Sequence, residues 1–166
     1  IRDRVWYVKK YIQRLSTKRW ASWNKESFLV KMNSDPISDF LTRIRNASMV
    51  NKPSVSVPHS RFKLELSKLF KEEGYISDVK VSGDGSHKQI EIDLKYSENG
   101  SPVLAGLNRL SKPGRRLYVG SDSLPRNNGG LGTVVVSTSR GLLPDSEARK
   151  RKLGGELICE VWSWAE

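Results

Sequence analysis

The stretch LGTVVVSTSRG, residues 131–141, decides the reading. Through residue 138 it is a β-branched apolar run, the pattern of a strand buried in a sheet. Its end places three hydroxyls in a row, Ser137, Thr138 and Ser139, followed by Arg140 and Gly141. A deeply buried strand does not carry three hydroxyls without partners, because each one costs free energy when it leaves water unpaired. A folded RNA supplies such partners: 2′-hydroxyls, phosphate oxygens and minor-groove base edges, all suited to short mixed donor–acceptors. Gly141 permits positive φ or close backbone approach, and Arg140 adds charge. The plain alternative is a strand-to-helix turn with Ser/Thr caps, and the local sequence alone favours it.

Outward toward the N-terminus lies Lys112-Pro113-Gly114-Arg115-Arg116-Leu117-Tyr118. Pro and Gly make a tight turn that presents Lys112, Arg115 and Arg116 to phosphates, and the Tyr118 ring can meet a base or ribose. The plain alternative is a solvated hairpin with a core tyrosine. A short strand is expected at 115–119, and 103–110 reads as strand or helix. On the other side, a short helix is expected at 145–152 and a last strand at 156–162. In that strand Leu157, Cys159 and Val161 alternate, so Cys159 reads as a buried structural thiol. One cysteine excludes an internal disulfide and a thiolate zinc site.

The N-terminal half has sharper local signals. Asp35 suits a helix N-cap and Pro36 the first helical position. Ile37, Phe40, Leu41, Ile44 and Ser48 then share one face. Thr42, Arg43 and Asn46 share the opposite one, a third candidate contact surface whose plain reading is a solvated face. A short strand at 54–57 precedes a helix capped by Ser60, with Phe62, Leu66, Leu69 and Phe70 as its buried stripe and Gly74 as its stop. Two strands follow, at 75–81 and 88–96, the second with Ile90, Ile92, Leu94 and Tyr96 inward. These patterns divide the chain into a basic N-terminal segment (1–31), an N-terminal α/β domain (32–97), a C-terminal mostly-β domain with one short helix (98–161) and a tail (162–166). The expected class is α/β (α+β) with two small domains.

The chain has 166 residues, a net charge of +11 and 37% apolar residues. So basic a surface attracts polyanions through counterion release, nucleic acid first and an anionic membrane second. Residues 1–31 carry nine Lys/Arg against Asp3 and Glu26, with Val5, Val8, Ile12 and Leu15 at helical spacing. Three readings of this segment stay open: an RNA-binding extension, a transit-peptide-like leader, or residues read in ahead of a start at Met32. Catalysis has little support. His59 and His87 sit among turn residues without an adjacent acid or nucleophile pattern. Gly129-Gly130-Leu131-Gly132 precedes a strand, the wrong order for a dinucleotide fingerprint, and reads as a turn. No enzyme, metal, cofactor or small-molecule substrate is expected.

Five ordered segments resemble one family. They are DPISDFLTRIRNA (35–47), VSVPHSRFKLELSKLFKEEGYI (55–76), LSKPGRRLYV (110–119), LPRNNGGLGTVVVSTSRG (124–141) and EARKRKLGGELICEV (147–161). Together they resemble the small-ribosomal-subunit protein S-eight family over about 130 residues, the hydroxyl string being the most specific piece. The resemblance implies a two-domain fold. It also implies primary binding to the central domain of small-subunit ribosomal RNA, early in assembly. Ser137, Thr138, Ser139 and Gly141 would contact a distorted RNA helix, with Gly155 and Glu156 lying against that loop. Tyr118 and the Lys112–Arg116 turn would face RNA, and Thr42, Arg43 and Asn46 a second RNA segment. Implied protein neighbours include the S-five type. The ribosome of a bacterial cytoplasm, a chloroplast or a mitochondrion would fit. Two other readings accompany this one. Some members of the family repress their own messenger RNA, and the basic N-terminal segment could instead dock a partner or membrane. Leu143-Pro144 departs from the family's usual methionine and threonine, which puts the start of the last helix in doubt. Residues 1–31 and 162–166 have no counterpart in a typical bacterial member.

Overall fold

The structure, a computed structural model, describes residues 35–125 and 132–164. The basic segment 1–31, Met32 and the glycines at 129 and 130 lie outside the described residues.

The chain opens on α1 (Pro36–Met49). Asp35 caps it as expected: its Oδ1 accepts from the Ile37 and Ser38 amides, both at 3.1 Å. One stripe, Phe40, Leu41, Ile44, Ala47 and Ser48, is buried. After β1 (Ser54–Pro58) comes α2 (Arg61–Glu72). Ser60 stands at its N-cap without a side-chain cap hydrogen bond. The buried stripe of α2 is also rotated from the expected one. Phe62 is half-buried, while Lys63 and Ser67 are buried beside Leu66, Leu69 and Phe70. The Ser67 hydroxyl donates to the Lys63 carbonyl at 2.8 Å, which lets a serine enter the core with its donor satisfied. Strands β2 (Ile76–Ser82) and β3 (Gln89–Leu94) complete a small antiparallel sheet in the order β1-β3-β2. Ile90, Ile92 and Leu94 point inward from β3.

The segment that read as strand or helix is a strand, β4 (Leu104–Arg109). The large sheet runs β4-β8-β6-β7, with β6 (Gly132–Thr138), β7 (Gly141–Pro144) and β8 (Gly155–Ser163). The two-residue β5 (Tyr118–Val119) also pairs with β8 and is shorter than the strand expected at 115–119. Strand β7 was not expected. The chain leaves the hydroxyl string through a hairpin into Gly141–Pro144 and only then enters α3 (Asp145–Lys150). Pro144 stands just ahead of that helix, so the departure at Leu143-Pro144 leaves the helix in place.

Strand β8 contains a bulge. Cys159 pairs with Val135, but the next pair is Leu157 with Val136, which leaves Ile158 over. An extra residue in one strand switches the facing of everything beyond it. Leu157 therefore lies in a small cluster with Leu124, Val134, Val136 and Ala148. Cys159 and Val161 lie instead in the main core with Phe40, Ile44, Leu66, Phe70, Ile90 and Ile92. The even alternation expected for Leu157, Cys159 and Val161 is broken there. Burial pushes the Cys159 thiol up to about 12, as suits an inert structural cysteine.

The main core draws on both sheets. Helix α1 lies along β4 in the opposite direction. Ser48 donates to the Leu104 carbonyl, Arg45 to that of Leu107, and Asp35 faces Arg109. Tyr75 hydrogen-bonds the Thr133 hydroxyl, which donates to Glu73, joining the end of α2 to β6.

Candidate nucleic-acid interface

Directly opposed residues in an antiparallel sheet share a face. In the large sheet Tyr118 opposes Glu156, Glu156 opposes Ser137, and Ser137 opposes Leu142. One row across four strands thus brings together residues from three sequence segments. The bulge makes the row possible, because an unbroken β8 would turn Glu156 to the other face. Val135, Cys159 and Val161 lie further along the same face, where the main core covers them. At the Ser137 end, Tyr118 is 72% exposed.

Glu156 is the centre of this row. Its Oε1 accepts from Arg116 Nη1 at 2.7 Å and from the Ser111 hydroxyl. Burial pushes its carboxyl up, but Ser111 and Arg116 together hold it below the ordinary carboxylate range. Arg116 is therefore partly neutralised within the protein, although a guanidinium keeps further donors for a phosphate. Lys112 and Arg115 close a tight turn with reciprocal backbone hydrogen bonds of 3.0 and 2.9 Å, both side chains exposed. Arg115 has no acidic partner among the described residues.

Gly155 is required by contact. A Cβ there would collide with the Ser137 carbonyl oxygen, so glycine lets β8 press against the hydroxyl strand. The three hydroxyls differ. Those of Ser137 and Ser139 have no hydrogen-bond partner among the described residues, and Ser139 is exposed. The Thr138 hydroxyl accepts from the Arg140 amide at 3.1 Å and donates to the Gly141 carbonyl at 3.0 Å. It closes the hairpin. Gly141 takes φ +106°, a conformation other residues rarely adopt. Ser139, Arg140 and Gly141 border a groove of about 790 Å³ against α2.

Thr42, Arg43 and Asn46 are exposed on α1, away from its buried stripe. Arg43 pairs with Asp39 at 2.8 Å and lines a second groove of about 390 Å³ with Asn46, Lys52, Ser54 and Ser56. This cluster shares no residue with the Ser137 row. Sequence reasoning missed Ser111, which is fully buried and also accepts from the Leu117 amide at 3.2 Å. Its only signal was its place ahead of a Lys-Pro-Gly turn. Among the described residues no group of three His, Cys, Asp or Glu could hold a metal ion. No described helix is long and apolar enough to cross a membrane.

A family model described as "Ribosomal protein S8" matches residues 35–162. The chain belongs to this family. Relatives named small ribosomal subunit protein uS8 agree closely. The protein of Syntrophomonas wolfei is 52% identical over 129 residues, which is 78% of this chain and 98% of the relative. That of Solibacter usitatus is 48% identical over 131 residues, 79% of this chain and all of the relative. That of Lactobacillus delbrueckii is 52% identical over 129 residues. The family is one of structural ribosomal proteins, so the chain is not an enzyme. Its mixed α/β architecture, with two antiparallel sheets, agrees with that fold.

Proposed function

We propose that the chain is a primary ribosomal-RNA-binding protein of the small subunit, docking on the central domain of the RNA and supporting early assembly. The RNA-binding domain is the C-terminal part, residues 98–161. The observation that carries the reading is the row Tyr118–Glu156–Ser137, which puts the unpartnered Ser137 hydroxyl and a ring on the sheet face that the Lys112–Arg116 turn adjoins, with Ser139 in the hairpin just beyond. Lys112 and Arg115 supply charge with little sequence preference. Ser137 and Ser139 supply discrimination by pairing with the irregular RNA surface. Thr138 and Gly141 shape the hairpin, Gly155 lets the strands approach, and Glu156 orients Arg116. Arg140 adds charge at the hairpin. Thr42, Arg43 and Asn46 approach a second RNA segment. Neighbouring proteins, notably of the S-five type, complete the setting within a bacterial or organellar ribosome.

The test is the affinity of Ser139→Ala for a central-domain fragment of small-subunit RNA. Losing a desolvated hydroxyl should weaken binding by about 1–3 kcal/mol with unchanged melting. Equal binding by variant and parent would remove the hairpin from the interface. Deleting residues 1–31 should leave most of the affinity; its complete loss would move the site to that segment.

A further inference from the structure

Arg109 is a charged residue inside the protein, its side chain only 7% exposed. Its Nη1 donates to the Ile158 carbonyl at 3.0 Å, at the bulged residue of β8. The Leu110 amide donates to the same oxygen at 3.1 Å. The Arg109 Nε, buried and without a hydrogen-bond partner, faces Asp35 Oδ2 at 3.5 Å. The two carboxylate oxygens of Asp35 thus divide their work: Oδ1 caps α1 and Oδ2 meets the guanidinium. Burying a guanidinium is costly, and an apolar side chain of similar volume would fill the space at least as well. Packing alone does not call for this residue.

Its position does. The bulge at Ile158 is the irregularity that turns Glu156 toward Ser137. With its carbonyl held by the Leu110 amide alone, the extra residue could shift along the strand, and Glu156 would leave the row. Two residues beyond Arg109, Ser111 also binds Glu156.

We propose that Arg109 is a positioning residue for the RNA-facing end of the large sheet, locking the Ile158 bulge and tying it through Asp35 to the first turn of α1. The part concerning RNA rests on the function proposed above; the part concerning the bulge does not. Arg109 touches no RNA. It acts through Glu156, Arg116 and the strand pairing that places Ser137.

Two variants of the full chain test this. Arg109→Lys keeps the charge but loses the fork that reaches Ile158 and Asp35 together. Asp35→Asn keeps a good capping oxygen but removes the charge opposite Arg109. Without RNA, amide hydrogen exchange at Leu110 and Leu157, beside the bulge, should quicken about tenfold in each variant, as local opening becomes easier. Exchange at Ile90 and Ile92 in the small sheet should stay as in the parent. Equal acceleration in both sheets, or none at the bulge, would overturn the assignment. With the central-domain RNA fragment, affinity should fall about tenfold, the scale of one charge-assisted hydrogen bond. The salt dependence should keep the parent's slope, because no phosphate contact is lost. A slope flatter by about one contact would mean that Arg109 meets phosphate itself and would overturn the positioning role. Unchanged affinity with a loosened bulge would overturn it as well. A parent that fails to bind the RNA would instead overturn the proposed function, and the exchange data would still judge the bulge. If Arg109→Lys does not fold, Asp35→Asn carries both arms.

Discussion

One face of the large sheet presents two chemistries. Over Val135, Cys159 and Val161 it is apolar and covered, and α1 packs there through Phe40 and Ile44. A few residues on, the same strands present Ser137 and Glu156, with Tyr118 beside them in β5. Two features make the change: the bulge at Ile158 reverses which β8 side chains face this way, and α1 begins just after its cap Asp35, which faces Arg109. The covered end supplies stability, and in the function proposed above the open end is the one that meets RNA. Substitutions at the two ends should therefore separate cleanly.

The largest effect is expected at the covered end. Phe40→Ala should cost about 3–5 kcal/mol of stability by opening a cavity in a closely packed core. RNA affinity per folded molecule should be unchanged, as thermal melting combined with a binding titration would reveal. A matching loss of affinity would mean that the ends are not separable.

Gly155→Ala sits at the boundary and should affect both properties. The new methyl group meets backbone, the Ser137 carbonyl, which cannot rotate away. Stability should fall by about 1–3 kcal/mol, and binding should weaken with it. Preserved affinity in a destabilised variant would show that close approach of β8 to Ser137 does not shape the interface.

The smallest effects divide Arg115 from Arg116. Arg115→Ala should flatten the salt dependence of RNA binding by about one contact and leave melting alone. Arg116→Ala should also act without RNA. The Glu156 carboxyl lies below its ordinary value in the folded chain. Its contribution to stability is therefore present above the unfolded carboxylate value and lost as pH falls through the folded one. Removing Arg116 should lower stability at neutral pH and shrink that acid-side loss, measured as melting temperature against pH. Identical pH profiles for variant and parent would contradict the pairing.

The sequence made the covered end more legible than the open one. Helical spacing revealed the α1 stripe, alternation revealed β3, and the β-branched run revealed β6, because burial of apolar side chains follows local period. The bulge left no such trace. Leu157, Cys159 and Val161 alternate in sequence whether or not Ile158 is extra, and only pairing with β6 shows which residue is skipped. Strand β7 is short and ends in proline, so it read as an approach to the helix. Ser111 carries no signal of its own in the sequence, because its partner Glu156 lies far along the chain. Resemblance carried what periodicity could not, namely that Gly155 and Glu156 lie against the hydroxyl string. Thr138 shows the limit in the other direction: three adjacent hydroxyls looked alike, yet one of them closes the turn.

The most direct test is to map the surface that RNA touches. Isotope-labelled protein titrated with the central-domain RNA fragment should show its largest backbone shifts at Lys112, Arg115, Tyr118, Ser137, Ser139, Gly141, Gly155 and Glu156. A smaller set is expected at Thr42, Arg43 and Asn46. Saturable binding with shifts confined to β1, β2 and β3, leaving the open end of the large sheet unmoved, would contradict the account.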